Sequence, residues 1–271
     1  KRLSDFGIRL SLNPWTTTYH VGRGRILRSG QNFTLMVGET GTISPITPCP
    51  LCPNWQDYIC DVFRYLAGEL EPVALWVEDD WRIHNHEPDM GWGGCFCQLH
   101  LARFEEKIGC SVSRDQVLKN ILAPGEPHPW RQIWLEICRD TLLEPAVKLY
   151  DSVHSASPAT RLGLMTSSPD THSAEGRDWQ ALQQALGDKP AFLVRPHMPP
   201  YTETNAFDGA AAVTRLTLAN LHGPLEVYPE LENSPRCGRY SKSSKYSLWQ
   251  CFNAAVFRQQ WDYDQSFRYD G

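Results

Sequence analysis

Residues 72–100 read PVALWVEDDWRIHNHEPDMGWGGCFCQLH, a short apolar run that changes abruptly into clustered acids. The apolar run, Val73 to Val77, has the length and composition of a buried strand. It is followed without a break by three carboxylates, Glu78, Asp79 and Asp80. A strand is a rigid support, and its end opens where a substrate can bind. The pattern therefore predicts a chemical site at the end of this strand.

The bulk composition is that of an ordinary globular protein. The 271 residues are 41% hydrophobic and 21% charged, and the net charge of −5 comes without a long basic segment, so we expect no nucleic-acid partner. No apolar run approaches the roughly 18 to 20 residues of a membrane span, and we expect no membrane partner. The nine cysteines are odd in number and irregularly spaced, which favours free thiols and a reducing, cytoplasmic compartment.

Apolar runs and helical patterns alternate along the chain about seven times. Polar residues collect just after each apolar run, which is typical of a (β/α)8 barrel. An open doubly wound sheet also alternates, but it normally carries a glycine-rich phosphate loop that this chain lacks. The expected strands cover residues 8–12, 33–37, 70–77, 162–166, 191–194 and 225–231. The expected helices cover residues 99–108, 130–154, 176–186, 205–221 and 244–257, with another capped by Asn54 and another starting at Ser113.

We therefore predict one catalytic TIM-barrel domain over residues 1–271. The polar and aromatic tail does not read as a final strand. One strand of the eight is expected to lie beyond a terminus of this chain. A proline at Pro145 is expected to kink the long helix or to mark a boundary in it.

Two groups of acids matter most for chemistry: the Glu78–Asp80 group and Glu232, which follows a later strand. In a barrel these strand ends meet across one mouth. Retaining glycosidases need two carboxyls about 5 to 5.5 Å apart, one as nucleophile and one as acid and then base. An arginine such as Arg195 or Arg236 would keep the nucleophile ionised, and burial among like charges would keep the acid protonated.

Two patches of the chain resemble the family 42 β-galactosidases of glycoside hydrolase clan A. The segment LEVYPELENSPR, in which Glu232 precedes Asn-Ser-Pro, is similar to the nucleophile strand of that family. The segment CFCQLHLARFEEKIG looks like the cysteine run at which family members often bind a structural zinc. The resemblance implies a clan A barrel, a retaining exo-acting β-glycosidase, an oligosaccharide or glycoside substrate and a homotrimer.

The chain departs from the family pattern at the acid/base residue. Clan A enzymes usually place Asn directly before that Glu, whereas this chain has Glu78, Asp79 and Asp80 after Val77. Glu78 fits the acid by residue type and Asp80 fits it by register. We favour Glu78 and keep Asp80 open. A sister family such as the family 164 β-mannosidases fits the altered pattern equally well.

The spacing of Cys95, Cys97 and His100 indicates three ligands of a structural zinc. The alternative is buried thiols beside a hydrogen-bonded histidine. Soft thiolates favour a closed site, so we expect no catalytic cofactor. A fourth ligand is required, and the sequence leaves four candidates open: Cys49, Cys52, His84 and His86.

Substrate contacts are expected from polar and aromatic residues at or beside strand ends, since aromatic faces stack on sugar rings. These residues are Asp79, His172, Arg195, His197, Tyr201 and Trp249. Two other functions fit the same fold. Residues 84–86 resemble the paired ligands of a metal-dependent hydrolase, and a barrel with an inactive site would be a carbohydrate-binding protein.

Overall fold

The computed structural model describes residues 3–14, 17–18, 26–84, 94–187, 189–198, 203, 208–231 and 242–267. Its strands are β1 (Ser11–Leu12), β2 (Leu35–Val37), β3 (Ile43–Pro48), β4 (Ala74–Val77), β5 (Arg161–Met165), β6 (Phe192–Arg195) and β7 (Leu225–Val227). Its helices are α1 (Pro53–Leu70), α2 (Gln98–Ile108), α3 (Arg114–Ile121), α4 (Pro129–Ala156), α5 (Pro169–Ala174), α6 (Trp179–Leu186), α7 (Asp208–Ala219) and α8 (Ser244–Phe267), and a 3-10 helix (Leu3–Phe6) precedes β1.

Five parallel strands form the main sheet in the order β1-β4-β5-β6-β7. Each strand pairs with the next one of the sheet along the chain, and every connection contains at least one helix. Such a one-directional order is typical of a β/α barrel, whereas a doubly wound sheet reverses its order near the middle. The described residues thus form five consecutive strands of the expected architecture.

The sheet curls so that strands far apart in its order face one interior. In a flat sheet β4 and β7 would lie about 14 Å apart, at about 4.8 Å per step, and side chains would stand perpendicular to the sheet. Instead, the rings of Trp76 on β4 and Tyr228, just after β7, are 5.6 Å apart between centroids. The Trp76 indole Nε1 also donates to Ser11 Oγ on β1 at 2.8 Å. Both edge strands therefore contact one inward-pointing tryptophan.

The two-residue period of the strands separates an inner from an outer apolar layer. The inner cluster consists of Ala74, Trp76, Met165 and Leu193. The alternate residues of the same strands join the main core, which contains residues of helices α1, α4 and α6; they are Leu75, Val77, Leu162, Leu164, Phe192 and Val194. All four residues of β4 are buried, as expected of a strand that serves as a rigid support for the acids after it.

The sequence predicts two barrel strands before α1, at residues 8–12 and 33–37, and the second prediction is wrong. The apolar run at residues 33–37 forms β2, which pairs antiparallel with β3 and not with the main sheet. Its partner follows a tight turn in which the Gly41 N–H donates to Gly38, so the chain reverses at once and the two strands become neighbours. The described residues consequently provide five parallel strands where the alternation predicted more.

Several boundaries also differ from the expectation. Leu70 ends α1 and does not begin a strand, because Glu71 adopts a left-handed conformation with φ of 43° and Pro72 follows it. The N-cap of α1 is Cys52 and not Asn54, whose amide donates to the Asn32 carbonyl at 2.9 Å. Helix α5 occupies a stretch expected to be loop, and α4 continues through Pro145.

The start of α3 expected at Ser113 is confirmed. Ser113 caps α3 and accepts from the Gln116 backbone N–H at 3.2 Å. Eight cysteines are described, and all of them are free thiols. Among the described residues, no helix has both the length and the apolar character that crossing a bilayer demands.

Candidate active site and metal centre

Polar side chains converge at the carboxyl ends of the parallel strands. Asn13 follows β1, Glu78 follows β4, Arg195 ends β6 and Glu230 comes three residues after β7. These are the strand ends at which barrel enzymes place their working residues. We call this region the mouth.

One guanidinium joins the two acids of the mouth. Arg195 Nη1 forms an ion pair with Glu230 Oε1, and Arg195 Nη2 lies 3.8 Å from Glu78 Oε2. The Asn13 amide Nδ2 donates to the same Glu78 oxygen at 2.8 Å. Glu78 is only 4% exposed. The carboxylates of Glu78 and Glu230, which follow two non-adjacent strands, therefore both lie beside the Arg195 guanidinium.

Glu230 is an ionised carboxylate in this arrangement. Its Oε2 lies 3.1 Å from His197 Nδ1, while its other oxygen contacts Arg195. Burial opposes ionisation, but the hydrogen bond from His197 and the charge of Arg195 together lower the Glu230 pKa below its ordinary value. Burial likewise opposes the charge of Arg195, and Glu230 outweighs it and raises the Arg195 pKa.

The second acid of the β4 motif, Asp79, contacts the β5 strand end. Ser167 Oγ donates to Asp79 Oδ2 at 2.5 Å, and Arg82 Nη1 donates to the same Ser167 hydroxyl at 2.5 Å. Arg82 Nη1 also lies 3.8 Å from Asp79 Oδ2. Burial lowers the Arg82 pKa, although the neighbouring acids oppose that effect. Asp79 is thus anchored beside Glu78 at the mouth.

Asp80 lies in a different direction. Both of its carboxylate oxygens accept from the Thr17 backbone N–H, at 2.9 and 3.1 Å, and one of them also accepts from the Thr17 hydroxyl. The Thr18 hydroxyl donates to the Asp80 carbonyl. Asp80 has no exposed surface and binds the loop after β1 to the loop after β4. This geometry favours Glu78 over Asp80 for contact with a ligand.

The remaining predicted site residues are dispersed. Glu232, Tyr201 and His86 lie outside the described residues. Trp249 packs beside Met198 in a small cluster and lies 5.9 Å from the Tyr246 ring. His172 has no exposed surface and belongs to a network behind the mouth. Of the predicted set, the structure brings together Glu78, Asp79, Arg195 and His197.

Sequence reasoning missed several residues of the mouth and its surroundings. The missed residues are Asn13, Arg82, Ser167, Glu175, Arg177 and Glu230. Asn13 had a usable signal, because it directly follows the strand predicted at residues 8–12. Glu230 had none, since it lies inside the strand predicted at residues 225–231, whereas β7 ends at Val227. No sequence signal indicated Glu175 and Arg177, since they lie well after the strand predicted at residues 162–166, where a helix was expected to begin.

The predicted metal ligands form a compact buried cluster with Cys49. The Nδ1 atom of His100 lies 3.4 Å from Cys49 Sγ and 3.5 Å from Cys97 Sγ, and the two sulfurs are 3.5 Å apart. With Cys95, the four ligand atoms all lie within 4.8 Å of one another. We call this set the Cys3His cluster.

The structure decides among the fourth-ligand candidates. Cys49 follows β3 and enters the cluster, whereas Cys52 Sγ accepts from the Thr34 backbone N–H at 3.2 Å. His84 lies in a separate group, and His86 is outside the described residues. Three thiols and one imidazole match the ligand set of a tetrahedral structural zinc site. The predicted residues therefore fit such an ion.

The electrostatics of the cluster favour a thiolate. Hydrogen bonds from Cys49 and Cys95 lower the Cys97 pKa far below that of an ordinary thiol. Burial disfavours a charged His100, but the Cys95 and Cys97 sulfurs outweigh it and raise the His100 pKa to about 9. Thiolate is the form that binds metal.

A second group of metal-binding residue types, His84, His172 and Glu175, is hydrogen-bonded within the protein. The Ser167 backbone N–H donates to His172 Nε2 at 3.2 Å, so the ring proton of neutral His172 is on Nδ1, which faces Glu175 Oε1 at 3.3 Å. A protonated nitrogen is no ligand. Arg177 Nη2 also lies 3.4 Å from Glu175. This group therefore reads as a buried hydrogen-bond network and does not favour a metal-dependent hydrolase.

Comparisons with known proteins bear on the fold. No protein-family model matches the chain, and no curated protein matches it. The catalytic domain of a β-amylase from Paenibacillus polymyxa matches at 11% identity with a TM-score of 0.51, over 84% of this chain and 70% of that one. This likeness confirms the TIM-barrel class predicted from the sequence.

A β-galactosidase from Bacillus circulans sp. alkalophilus also matches, at 15% identity with a TM-score of 0.45. The match covers 69% of this chain and 30% of the β-galactosidase. This chain thus spans less than a third of that protein's length.

Proposed function

We propose that this protein is a retaining β-glycosidase that removes a terminal β-linked sugar, of the β-galactosidase or β-mannosidase type. The observation that supports this most directly is the contact of Arg195 with both Glu78 and Glu230. Glycosidases of this kind require two carboxyls on opposite sides of one glycosidic bond. A carboxyl after β4 and a carboxyl after β7 that lie beside one arginine support such a pair.

Glu78 serves as the acid and then the base. In the first step it protonates the glycosidic oxygen while the second carboxylate attacks the anomeric carbon, and the bond to the leaving group breaks. In the second step Glu78 takes a proton from water. The resulting hydroxide attacks the anomeric carbon and releases the carboxylate, which restores both groups.

Two residues after β7 are candidates for the nucleophile, and different observations support them. Glu230 is placed beside Arg195 and its pKa is lowered, which meets the need for an ionised nucleophile. Glu232 has the Glu-Asn-Ser-Pro context of the resemblance to clan A enzymes. Both oxygens of Glu230 are already engaged, by Arg195 and His197, which suits an anchor for Arg195. We therefore propose Glu232 as nucleophile and Glu230 as the residue that fixes Arg195.

The side chains at the mouth are polar and charged, which suits a hydroxyl-rich ligand. Thr166 directly follows β5 and Arg195 ends β6. His197 and Trp249 remain proposed sugar contacts.

A panel of nitrophenyl β-glycosides (galactoside, mannoside, glucoside and fucoside) tests the activity. We expect turnover of at least one of them by the purified protein. Binding of sugars without hydrolysis would show a carbohydrate-binding protein instead. Loss of activity in chelator, with Glu78→Gln and Glu232→Gln still active, would show a metal-dependent hydrolase.

Azide rescue separates the roles of the three acids. A small anion enters the space left by an alanine and attacks the anomeric carbon in place of the missing group. Glu78→Ala should lower kcat by roughly 10²- to 10⁴-fold, and azide should restore turnover with a β-glycosyl azide as product. Glu232→Ala should instead give the α-glycosyl azide, because azide then enters from the nucleophile's side.

Glu230→Ala and Glu226→Ala complete this set. Glu226 lies on β7 and its Oε1 pairs with Arg161 at 2.7 Å, so its replacement should leave kcat unchanged. Glu230→Ala should lose activity without giving any glycosyl azide. An α-glycosyl azide from Glu230→Ala would transfer the nucleophile to Glu230, and full activity of both Glu230→Ala and Glu232→Ala would end the proposal.

The Cys3His cluster is proposed to hold a structural zinc. It links the end of β3, through Cys49, to the segment before α2, through Cys95 and Cys97, and to α2 itself, through His100. Closed thiolate-rich sites contribute folding free energy and leave no coordination position for a substrate. We expect one zinc per chain by metal analysis of the purified protein.

A further inference from the structure

The loop that carries the acids is held by residues of the connection between β5 and β6. We call residues 78–84 the acid loop. Glu175 lies between α5 and α6, and its Oε2 accepts from the backbone N–H groups of Ile83 at 2.8 Å and His84 at 3.0 Å. The same oxygen lies 2.8 Å from His84 Nδ1. One carboxylate oxygen thus binds the distal end of the acid loop at three points.

Arg177 completes this attachment. Its Nη2 donates to the Trp81 carbonyl and also lies 3.4 Å from Glu175 Oε1. Glu175 and Arg177 therefore bind the N–H and C=O groups of neighbouring peptides in the loop. Both side chains are almost fully buried. Burying a charge is costly unless it is paired, and the contact between Arg177 and Glu175 pairs these two charges.

The attached segment is directly connected to the mouth. Arg82 lies between Trp81 and Ile83, and it donates to the Ser167 hydroxyl, which in turn donates to Asp79. Glu78 precedes Asp79 and contacts Asn13 and Arg195. A displacement at residues 81–84 would therefore pass along a short, hydrogen-bonded loop to both acids.

We propose that Glu175 is a positioning residue that, with Arg177, fixes the acid loop so that Glu78 and Asp79 face the mouth. The attachment of the acid loop by Glu175 and Arg177 is the structural part of this proposal. Its catalytic part rests on the proposed glycosidase function. The two parts call for separate measurements.

Hydrogen exchange of the acid loop tests the structural part without reference to activity. In the native protein the amides of Ile83 and His84 should be protected, because a buried carboxylate accepts from both. Glu175→Gln removes the charge and leaves one acceptor oxygen for several donors. We expect at least tenfold faster exchange at both amides, measured by NMR or by mass spectrometry of peptides covering residues 78–84.

The matched control is Glu144→Gln. Glu144 lies on α4 in an exposed ion pair with Arg103, so exchange of the acid loop should not change. Unprotected Ile83 and His84 amides in the native protein would overturn the inference even if Glu175→Gln did not fold. Equal exchange in native protein and a folded Glu175→Gln would overturn it as well.

Steady-state kinetics test the catalytic part. Misplacing a catalytic group by about 1 Å costs on the order of 10²-fold in rate, so Glu175→Gln should lower kcat by about 10- to 100-fold while KM changes little. Glu175→Asp keeps the charge and should recover part of kcat. An unchanged kcat in a folded Glu175→Gln with a loosened loop would confine Glu175 to a structural role. Absence of turnover in the native protein would count against the glycosidase proposal alone, since exchange still decides the attachment.

Discussion

At the scale of single residues, Thr141 determines how His100 faces the cysteines. The Thr141 hydroxyl donates to the Ile137 carbonyl at 2.7 Å, so it offers a lone pair to His100 Nε2 at 3.3 Å. In the neutral ring that binds a metal, a proton on Nε2 leaves Nδ1 unprotonated toward Cys49 and Cys97. Groups that hold the second nitrogen of a metal-binding histidine in this way set its tautomer and orientation.

Replacing Thr141 with Val should therefore weaken zinc binding about 10- to 100-fold, with the fold retained. Competition against a coloured chelator measures the affinity, and metal analysis gives the zinc content. Thr217→Val is the matched control, because Thr217 is also fully buried in a helix and donates to the carbonyl four residues earlier. Equal affinity in the native protein and Thr141→Val would contradict this role. Lack of zinc in the native protein would contradict the metal site itself.

At the scale of elements, Gly163 allows the strands around Trp76 to pack. A Cβ atom at Gly163 on β5 would lie 2.5 Å from the Trp76 ring and 3.0 Å from Leu193 Cβ. These neighbours belong to β4 and β6, the two strands that flank β5. The glycine therefore leaves space for the tryptophan ring inside the curled sheet.

We expect Gly163→Ala to lower the free energy of unfolding by about 1 to 3 kcal/mol, because overpacking a core displaces side chains and strands. Gly68→Ala is the matched control. A Cβ there would meet Ala156 Cβ at an ordinary 3.6 Å within α1, so this change should stabilise the protein by about 0.5 to 1 kcal/mol. Urea denaturation measures both values. A neutral Gly163→Ala would show that the interior has room for a methyl group.

At the scale of the whole molecule, the buried network behind the mouth makes stability depend on pH. Burial and the nearby charge of Arg177 lower the His172 pKa to about 3, below the ordinary value of about 6.5. Between these values the unfolded chain binds a proton that the folded protein does not, so stability rises with pH. The pKa of Glu175 is also lowered. Glu175 therefore reduces the stability of the fold as the pH falls, but only below its ordinary pKa of 4.5.

The free energy of unfolding should consequently fall by about 2 kcal/mol between pH 6.5 and pH 5 through His172 alone. His172→Gln should flatten the pH dependence in this range, although it lowers stability at pH 7. His222→Gln replaces an exposed histidine and should leave the slope unchanged. Urea titrations at four or more pH values give the slopes. A slope in His172→Gln equal to that of the native protein would contradict a neutral buried His172.

The sequence alone was sufficient for what depends on local pattern. The apolar run before Glu78 predicted a buried strand with acids at its end, because the length and composition of such a run are local features of the sequence. The spacing of Cys95, Cys97 and His100 predicted one side of a metal site for the same reason. The alternation of strands and helices predicted the barrel class.

Only the tertiary structure decided which distant residues meet. Cys49 joins the Cys3His cluster because β3 ends beside α2, and Glu175 reaches the acid loop because β4 and β5 are neighbours. Asp80 and Glu78 differ by two positions in the sequence, yet backbone direction after β4 turns one toward Thr17 and the other toward Arg195. Contacts between residues far apart in the sequence depend on the strand order and on the paths of the loops. These are properties of the whole chain, and the local spacing of residues does not reveal them.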